Sequence, residues 1–119
     1  MKPEIEKNLQ LAGLIAELKK LSNQNNCPLW RRIALDLEKP TRRRRVVNVY
    51  KIDQYAAADE TVIVPGKVLG MGELSKKVSV AAFTFSDEAF KKIREKGEAL
   101  TIPELMHKNP KAKGVRILG

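Results

Sequence analysis

Arg42, Arg43, Arg44 and Arg45 stand side by side in this chain, and no other residues in it have so explicit a chemistry. A guanidinium is a planar, permanently charged fork that donates two parallel hydrogen bonds, and phosphate fits it well. Four adjacent arginines repel one another, so folding alone gives no reason to gather them. An external polyanion does. In an extended stretch successive side chains point to opposite sides, so all four need polar surroundings. That suits a segment draped on a partner better than one packed on the protein. The rest of the charge follows the same layout. Residues 39–51 hold six cations (Lys39, the four arginines and Lys51) and no acid. Residues 107–119 hold four (Lys108, Lys111, Lys113 and Arg116) and again no acid. The whole chain has 23 bases and 14 acids, a formal net charge of +9, so outside these two segments 13 bases face 14 acids. A single-signed excess in two short segments on an otherwise neutral chain points to nucleic acid. A basic localisation signal and an anionic membrane surface are the lesser uses of such runs.

Other chemistry is hard to assemble. There is one histidine and one cysteine, too few for a four-ligand zinc site within one chain. Cys27 precedes Pro28, where a small buried residue or weak helix cap is expected, and no third group is evident to orient a Cys27–His107 pair. His107 lies near a helix end, where it can serve the last carbonyls or touch phosphate. Gly66, Gly70 and Gly72 tempt a nucleotide-binding reading. No Gly-Lys-Ser/Thr follows at P-loop spacing, however, and Ser75 stands where a dinucleotide fingerprint needs its third glycine. Tight turns between strands account for this segment. Uncovered amides there, with Lys67, Lys76 and Lys77, also allow close approach to phosphate. Asp53, Asp59, Glu60 and Glu73 show no paired spacing for acid–base work. The expectation is therefore no catalytic residue, no metal, no cofactor and no small-molecule substrate: the chain reads as a binding protein and not an enzyme.

The elements that must carry these cations follow from periodicity. Residues 5–21 repeat Ile5, Leu9, Leu14, Ile15, Leu18 and Leu21 at mostly helical spacing, and the polar tract from Ser22 to Asn26 is expected to end that helix. Asn26 or Cys27 caps a second, with Pro28 in its first turn, Leu29, Trp30, Ile33, Ala34 and Leu37 on its apolar face, and Arg31 and Arg32 on its polar side. Pro40 stops it, and the basic arm at about residues 39–51 follows. Residues 51–58 suit a short helix with Ile52 and Tyr55 facing inward. From Thr61 the pattern turns to strands: 61–64, a Pro65-Gly66 turn, a short extended 67–69, then 78–85. Ser86 caps a helix with Asp87 and Glu88 in its first turn, Phe90 and Ile93 inward, and Gly97 at its end. Thr101 and Glu104 form a capping box for a helix over 102–108, and 115–118 is a last strand. The fold class is mixed α/β: two N-terminal helices and a basic arm, followed by a compact mixed α/β domain. A length of 119 residues suits one domain over the whole chain. Trp30, Phe83, Phe85 and Phe90 are its few bulky core candidates.

No apolar run reaches the ~20 residues of a membrane span. The opening Met-Lys-Pro-Glu-Ile-Glu is too polar for a signal peptide, and one cysteine suits a reducing compartment. A cytoplasmic protein with no membrane partner is expected. No recognition helix or dimer seam suggests sequence-specific DNA binding, and no aromatic RNP pair or GXXG loop suggests a single-stranded RNA module. Backbone and shape recognition by an arm, a loop and a tail remains, the manner of a protein fixed into a large folded RNA.

The residues themselves then show a resemblance. Val62-Ile63-Val64-Pro65-Gly66-Lys67-Val68-Leu69-Gly70-Met71-Gly72-Glu73-Leu74, with Val80-Ala81-Ala82-Phe83 and Phe85-Ser86, resembles the archaeal and eukaryotic large-subunit ribosomal protein family called L eighteen e. Leu29-Trp30-Arg31-Arg32-Ile33-Ala34 with Pro40 and the arginines is similar too, as are Val46-Val47-Asn48-Val49-Tyr50-Lys51-Ile52 and the closing Asn109-Pro110 and Gly114-Val115-Arg116-Ile117. Thr41, between Pro40 and the basic run, is a mild departure. The short length and compact tail look archaeal. The resemblance implies a structural constituent of the large ribosomal subunit, the mixed α/β fold shared with the bacterial L fifteen protein, and large-subunit ribosomal RNA and neighbouring ribosomal proteins as partners. The RNA-binding residues expected are Arg31, Arg32, Lys39, Arg42, Arg43, Arg44, Arg45, Lys51, Lys67, Lys76, Lys77, Lys108, Lys111, Lys113 and Arg116. The competing readings are a DNA-compacting, chromatin-type protein and a small RNA-modifying enzyme. The first needs a preference for duplex DNA and self-association, and the second a cofactor fingerprint or catalytic cluster.

Overall fold

A computed structural model describes residues 4–40 and 45–118, with side chains from Leu11 onward. The elements in chain order are α1 (Glu4–Asn25), α2 (Pro28–Leu37), β1 (Arg45–Asn48), α3 (Val49–Tyr55), β2 (Thr61–Leu69), β3 (Ser79–Phe85), α4 (Asp87–Lys96), β4 (Glu98–Thr101), α5 (Ile102–Lys108) and β5 (Val115–Ile117). Every strand pairing among the described residues is parallel. The order is β1-β2-β3-β4, and β5 also pairs with β2. Since β3 occupies one edge of β2, β1 and β5 must share the other. They do so end to end, β5 against Thr61 to Ile63 and β1 against Gly66 to Leu69.

Helices cover both faces, which is why β2 reads as an unbroken apolar run and not as an alternation. Val62, Val64 and Val68, with Val80 and Ala82, pack on Val49 and Ile52 of α3 and Ala89 and Ile93 of α4. Ile63 and Ala81 face the other way, onto Leu18 of α1, Trp30, Ile33, Ala34 and Leu37 of α2, and Ile102, Leu105 and Met106 of α5. Helices cross over between β1 and β2 and between β3 and β4. The crossing from β2 to β3 is made by residues 70–78, anchored by buried Leu74 and Val78.

Local chemistry sets the boundaries. Ser86 Oγ accepts from Ala89 N at 3.2 Å, with Asp87 and Glu88 in the first turn of α4. Thr101 and Glu104 form the reciprocal capping box that their spacing predicts, at 3.2 and 3.0 Å. Other boundaries differ from expectation. α1 continues through the polar tract to Asn25, because those residues lie in a largely exposed last turn. The chain reverses only at Asn26, at φ 50°, where Cys27 N donates to Ser22 O. α3 begins at Val49, and Tyr55 is exposed while Ile52 is buried.

Pro65-Gly66 does not turn the chain. β2 runs through it, and the two residues stand as a bulge opposite Phe83, between the Val64–Ala82 and Lys67–Thr84 pairs. A bulge is a place where a sheet tolerates the missing proline N–H. Phe90 is not inward: it is 41% exposed, edge-on to Phe85 at 5.9 Å, with the Arg94 guanidinium over its ring. Nothing in the local pattern predicts β4, four residues wedged between two helices.

Candidate nucleic-acid interface

The two basic segments lie far apart in sequence, yet the fold ties them to opposite ends of α2. At its C-terminal end the Asp36 carboxylate, almost wholly buried, meets Lys39 Nζ at 3.1 Å and Arg45 Nε at 3.5 Å. These residues flank the segment that holds Arg42, Arg43 and Arg44, which lie outside the described residues. At the N-terminal end Trp30, fully buried, donates its indole N–H to Pro110 O at 2.7 Å. The Cys27 thiol lies 3.6 Å from Lys111 O. Asn109 closes the tail loop on itself, donating from Nδ2 to Lys113 O and accepting from Lys113 N. Lys111 and Lys113 are thereby held beside the start of α2, both exposed. Between the two ends α2 turns Arg31 and Arg32 to solvent while Trp30, Ile33 and Leu37 face the core.

Lys67 extends this arrangement. It pairs in register with Val46 on one side and Thr84 on the other, and all three are exposed. Their neighbours Val47 and Val68 point into the layer of α3 and α4, so by strand alternation Lys67 lies on the face that α2 covers further back. The bulge at Pro65-Gly66 brings β1 in at this point. Arg45 is the register partner of Gly66, and a Cβ on Gly66 would run into Arg45 O. Glycine is needed there because backbone passes so close, not to make a turn.

The remaining expected contacts sit elsewhere, several with partners inside the protein. Lys51 is half-buried in the first turn of α3. Lys76 Nζ donates to Asp53 O and Ala56 O at 2.8 and 3.0 Å, closing the C-terminal end of α3. The Ser75 amide, then its hydroxyl, and the charge of Lys76 hold the Asp53 carboxyl below its ordinary range against a small opposing effect of burial. Lys108 pairs with Glu98 at 2.8 Å. Its hydrogen bond is the main cause that lowers the Glu98 pKa; Ser79 and the charge of Lys77 add to it, while burial opposes. Arg116 pairs with Glu60 at 3.1 Å.

The glycine segment is organised from within. Lys92 of α4 donates to Gly70 O and Gly72 O at 2.8 and 2.6 Å and pairs with Glu88 and Glu73. Burial works against its charge, but the two carboxylates outweigh it and raise its pKa. Met71 N donates to Asn48 Oδ1, and Gly72, at φ 96°, sits against Tyr50. Sequence reasoning passes over Lys92: its helical spacing from Glu88 is visible there, but its approach to two carbonyls some twenty residues away is not. Cys27 and His107 make separate contacts; His107 borders an open crevice between α1 and α5 with Lys20, Gln24 and Met106. Among the described residues no three of His, Cys, Asp and Glu converge as metal ligands, and no helix is long and apolar enough to cross a membrane.

Comparison with known proteins agrees with this architecture. The model of a family described as ribosomal proteins 50S-L15, 50S-L18e and 60S L twenty-seven A matches residues 15–101. That stretch runs from the middle of α1 through β4. The large ribosomal subunit protein eL18 of Methanoregula boonei is 50% identical over 112 residues, 93% of each chain. Its counterpart in Archaeoglobus fulgidus is 47% identical over 93% of this chain and 96% of its own, and that of Pyrobaculum aerophilum is 46% identical over 93% and 92%. The matched stretch takes in α2, the arm and the bulged strand that position the cations, so the chain belongs to the family of ribosomal proteins that comprises 50S-L15, 50S-L18e and 60S L twenty-seven A.

Proposed function

We infer that this protein is a structural, non-catalytic constituent of the large ribosomal subunit and binds folded ribosomal RNA along a band of cations centred on α2. The band runs from Lys111 and Lys113, past Arg31 and Arg32, to Lys39 and Arg45, which flank Arg42, Arg43 and Arg44 in the sequence, and on to Lys67. One observation carries this reading: α2 joins both acid-free basic segments, through the Trp30–Pro110 hydrogen bond at one end and the Asp36 ion pairs at the other. Two segments that hold all the excess charge become one surface. Lys39 and Arg45 serve its geometry as well as its charge. Lys51 and Lys77 lie at its margins, and Lys76, Lys108 and Arg116 act mainly through their internal partners. Large-subunit proteins adjoining this surface are the protein partners, and the ribosome in the cytoplasm is the location. The whole chain acts as one domain.

Phosphate contacts release counterions, so affinity falls with salt in proportion to their number. Replacing Arg42, Arg43 and Arg44 with serine removes up to three such contacts. The slope of log K against log salt for large-subunit ribosomal RNA then falls by about 2–3, at about 0.7–0.9 per contact. An unchanged slope refutes a phosphate role for the run. A wild-type preference for duplex DNA over ribosomal RNA would favour the chromatin-type alternative. Recovery only in the soluble fraction, and not with large subunits sedimented at high salt, would count against the ribosomal reading.

A further inference from the structure

We propose that an uncovered row of the sheet, Val46, Lys67 and Thr84, reads the ribose of the bound RNA: Lys67 meets a phosphate and the Thr84 hydroxyl meets the adjoining 2′-hydroxyl. This rests on the reading above and adds to it the contact that tells RNA from DNA.

A parallel sheet is ordinarily covered on both faces. Here the cover stops short. β1, β2 and β3 lie side by side, and Val46, Lys67 and Thr84 are register partners across them. The next row, Val47, Val68 and Phe85, packs into the layer of α3 and α4. The row before it therefore faces the side of α1, α2 and α5. All three of its residues are exposed, Val46 to 57%. The bulge makes this row. Val64 pairs with Ala82, so in unbroken register Thr84 would stand beside Gly66. The extra residue at Pro65-Gly66 moves Lys67 into that place instead. Re-aiming a side chain is a recurrent use of bulges.

The chemistry of the row names its occupant. Neither the Lys67 ammonium nor the Thr84 hydroxyl has a side-chain partner among the described residues. A protein element laid on the row would bury an unpaired ammonium at its centre, which is costly. A nucleic-acid backbone supplies the phosphate. The hydroxyl then selects the sugar: it donates and accepts, as a ribose 2′-hydroxyl does. Phosphate and 2′-hydroxyl adjoin in every ribonucleotide, as Lys67 and Thr84 adjoin across β2 and β3. Val46 lies on the other side of Lys67 and offers methyl groups to the sugar ring. Cations alone cannot make this choice, because RNA and DNA share their phosphates.

The test uses large-subunit ribosomal RNA carrying scattered 2′-deoxy substitutions, partitioned into bound and free by the whole protein. With wild type, a few substituted positions weaken binding, each about threefold to tenfold, as the loss of one hydrogen bond does. Thr84→Val has nearly the same shape and lacks the hydroxyl. It abolishes the effect at one or two of those positions and leaves the others, and Thr84→Ser restores it. Thermal melts confirm that the variants fold; Thr84→Ala repeats the test should valine disturb the sheet. Lys67→Gln lowers the salt slope by about 0.7–0.9, one contact's worth. An identical set of sensitive positions in wild type and Thr84→Val overturns the proposal, even where overall affinity falls. An unchanged slope with Lys67→Gln overturns its phosphate half. If wild type does not bind ribosomal RNA, the functional reading fails and this contact with it. Wild-type binding without any sensitive position removes the ribose contact alone.

Discussion

At the scale of single residues, the cations divide by what they touch. Arg31, Arg32, Lys67, Lys111 and Lys113 are exposed, whereas Lys76 and Lys92 hold backbone carbonyls of their own chain. Composition cannot separate these roles, because an ammonium that closes a loop and one that waits for phosphate are the same residue. Asp53 is the partner-side counterpart. It accepts from the Ser75 amide and hydroxyl at 2.8 and 2.7 Å and fastens the β2–β3 crossing to α3. Its pKa in the folded state is depressed, so its contribution to stability is full above the unfolded value of 3.8 and is lost as pH falls through the lower, folded one. Asp53→Asn consequently lowers the melting temperature most near neutral pH, and the gap to wild type narrows below about pH 4. Thermal melts from acidic to neutral pH check this. A gap of constant size across that range rules out the ionised carboxylate as its source.

At the scale of elements, the C-terminal segment is structural as well as basic. β5 lies along the edge of β2, Leu118 is buried in the core, and Trp30 holds Pro110. Trp30→Phe removes that N–H and with it the bond to the Pro110 carbonyl, at a cost of about 1 kcal/mol. Deleting residues 108–119 also uncovers the β2 edge and removes Leu118, whose burial alone is worth about 2–3 kcal/mol. Urea midpoints should fall in that order, and a truncated chain with an unchanged midpoint would show the tail to be only an arm. Much of this level is legible in the sequence. Pro28, Ser86 and the Thr101–Glu104 box place three helix starts correctly, because caps depend on residues within one turn of each other. What cannot be read there depends on distant neighbours. The bulge at Pro65-Gly66 exists because β1 arrives there, and β4 is a strand because β3 lies beside it. The outward position of Phe90 follows from Phe85 and Arg94 offering its ring a seat at the rim.

At the scale of the whole molecule, the decisive property is asymmetry. The helical layers on the two sides of the sheet both carry cations, but on the α4 side Lys91, Lys92, Arg94 and Lys96 alternate with Asp87, Glu88 and Glu95. Interspersed signs make a solvated surface with little net field, whereas a run of cations without acids attracts phosphate. Two basic segments are already implied by the sequence, but only the contacts of Asp36 and Trp30 show that both are tied to α2. Equal losses of charge on the two layers should therefore have unequal effects. Replacing Arg31 and Arg32 with glutamine removes two charges from the band, and the salt slope for ribosomal RNA falls by about 1.4–1.8, two contacts' worth. Replacing exposed Lys91 and Lys96 with glutamine removes the same net charge from α4 and leaves the slope within about 0.3 of wild type, since long-range attraction is screened beyond ~10 Å at about 0.1 M salt. Filter binding or fluorescence anisotropy across a salt series separates the two variants. Equal falls would mean that the RNA responds to the charge of the protein as a whole, and the band on α2 would lose its standing as the contact surface.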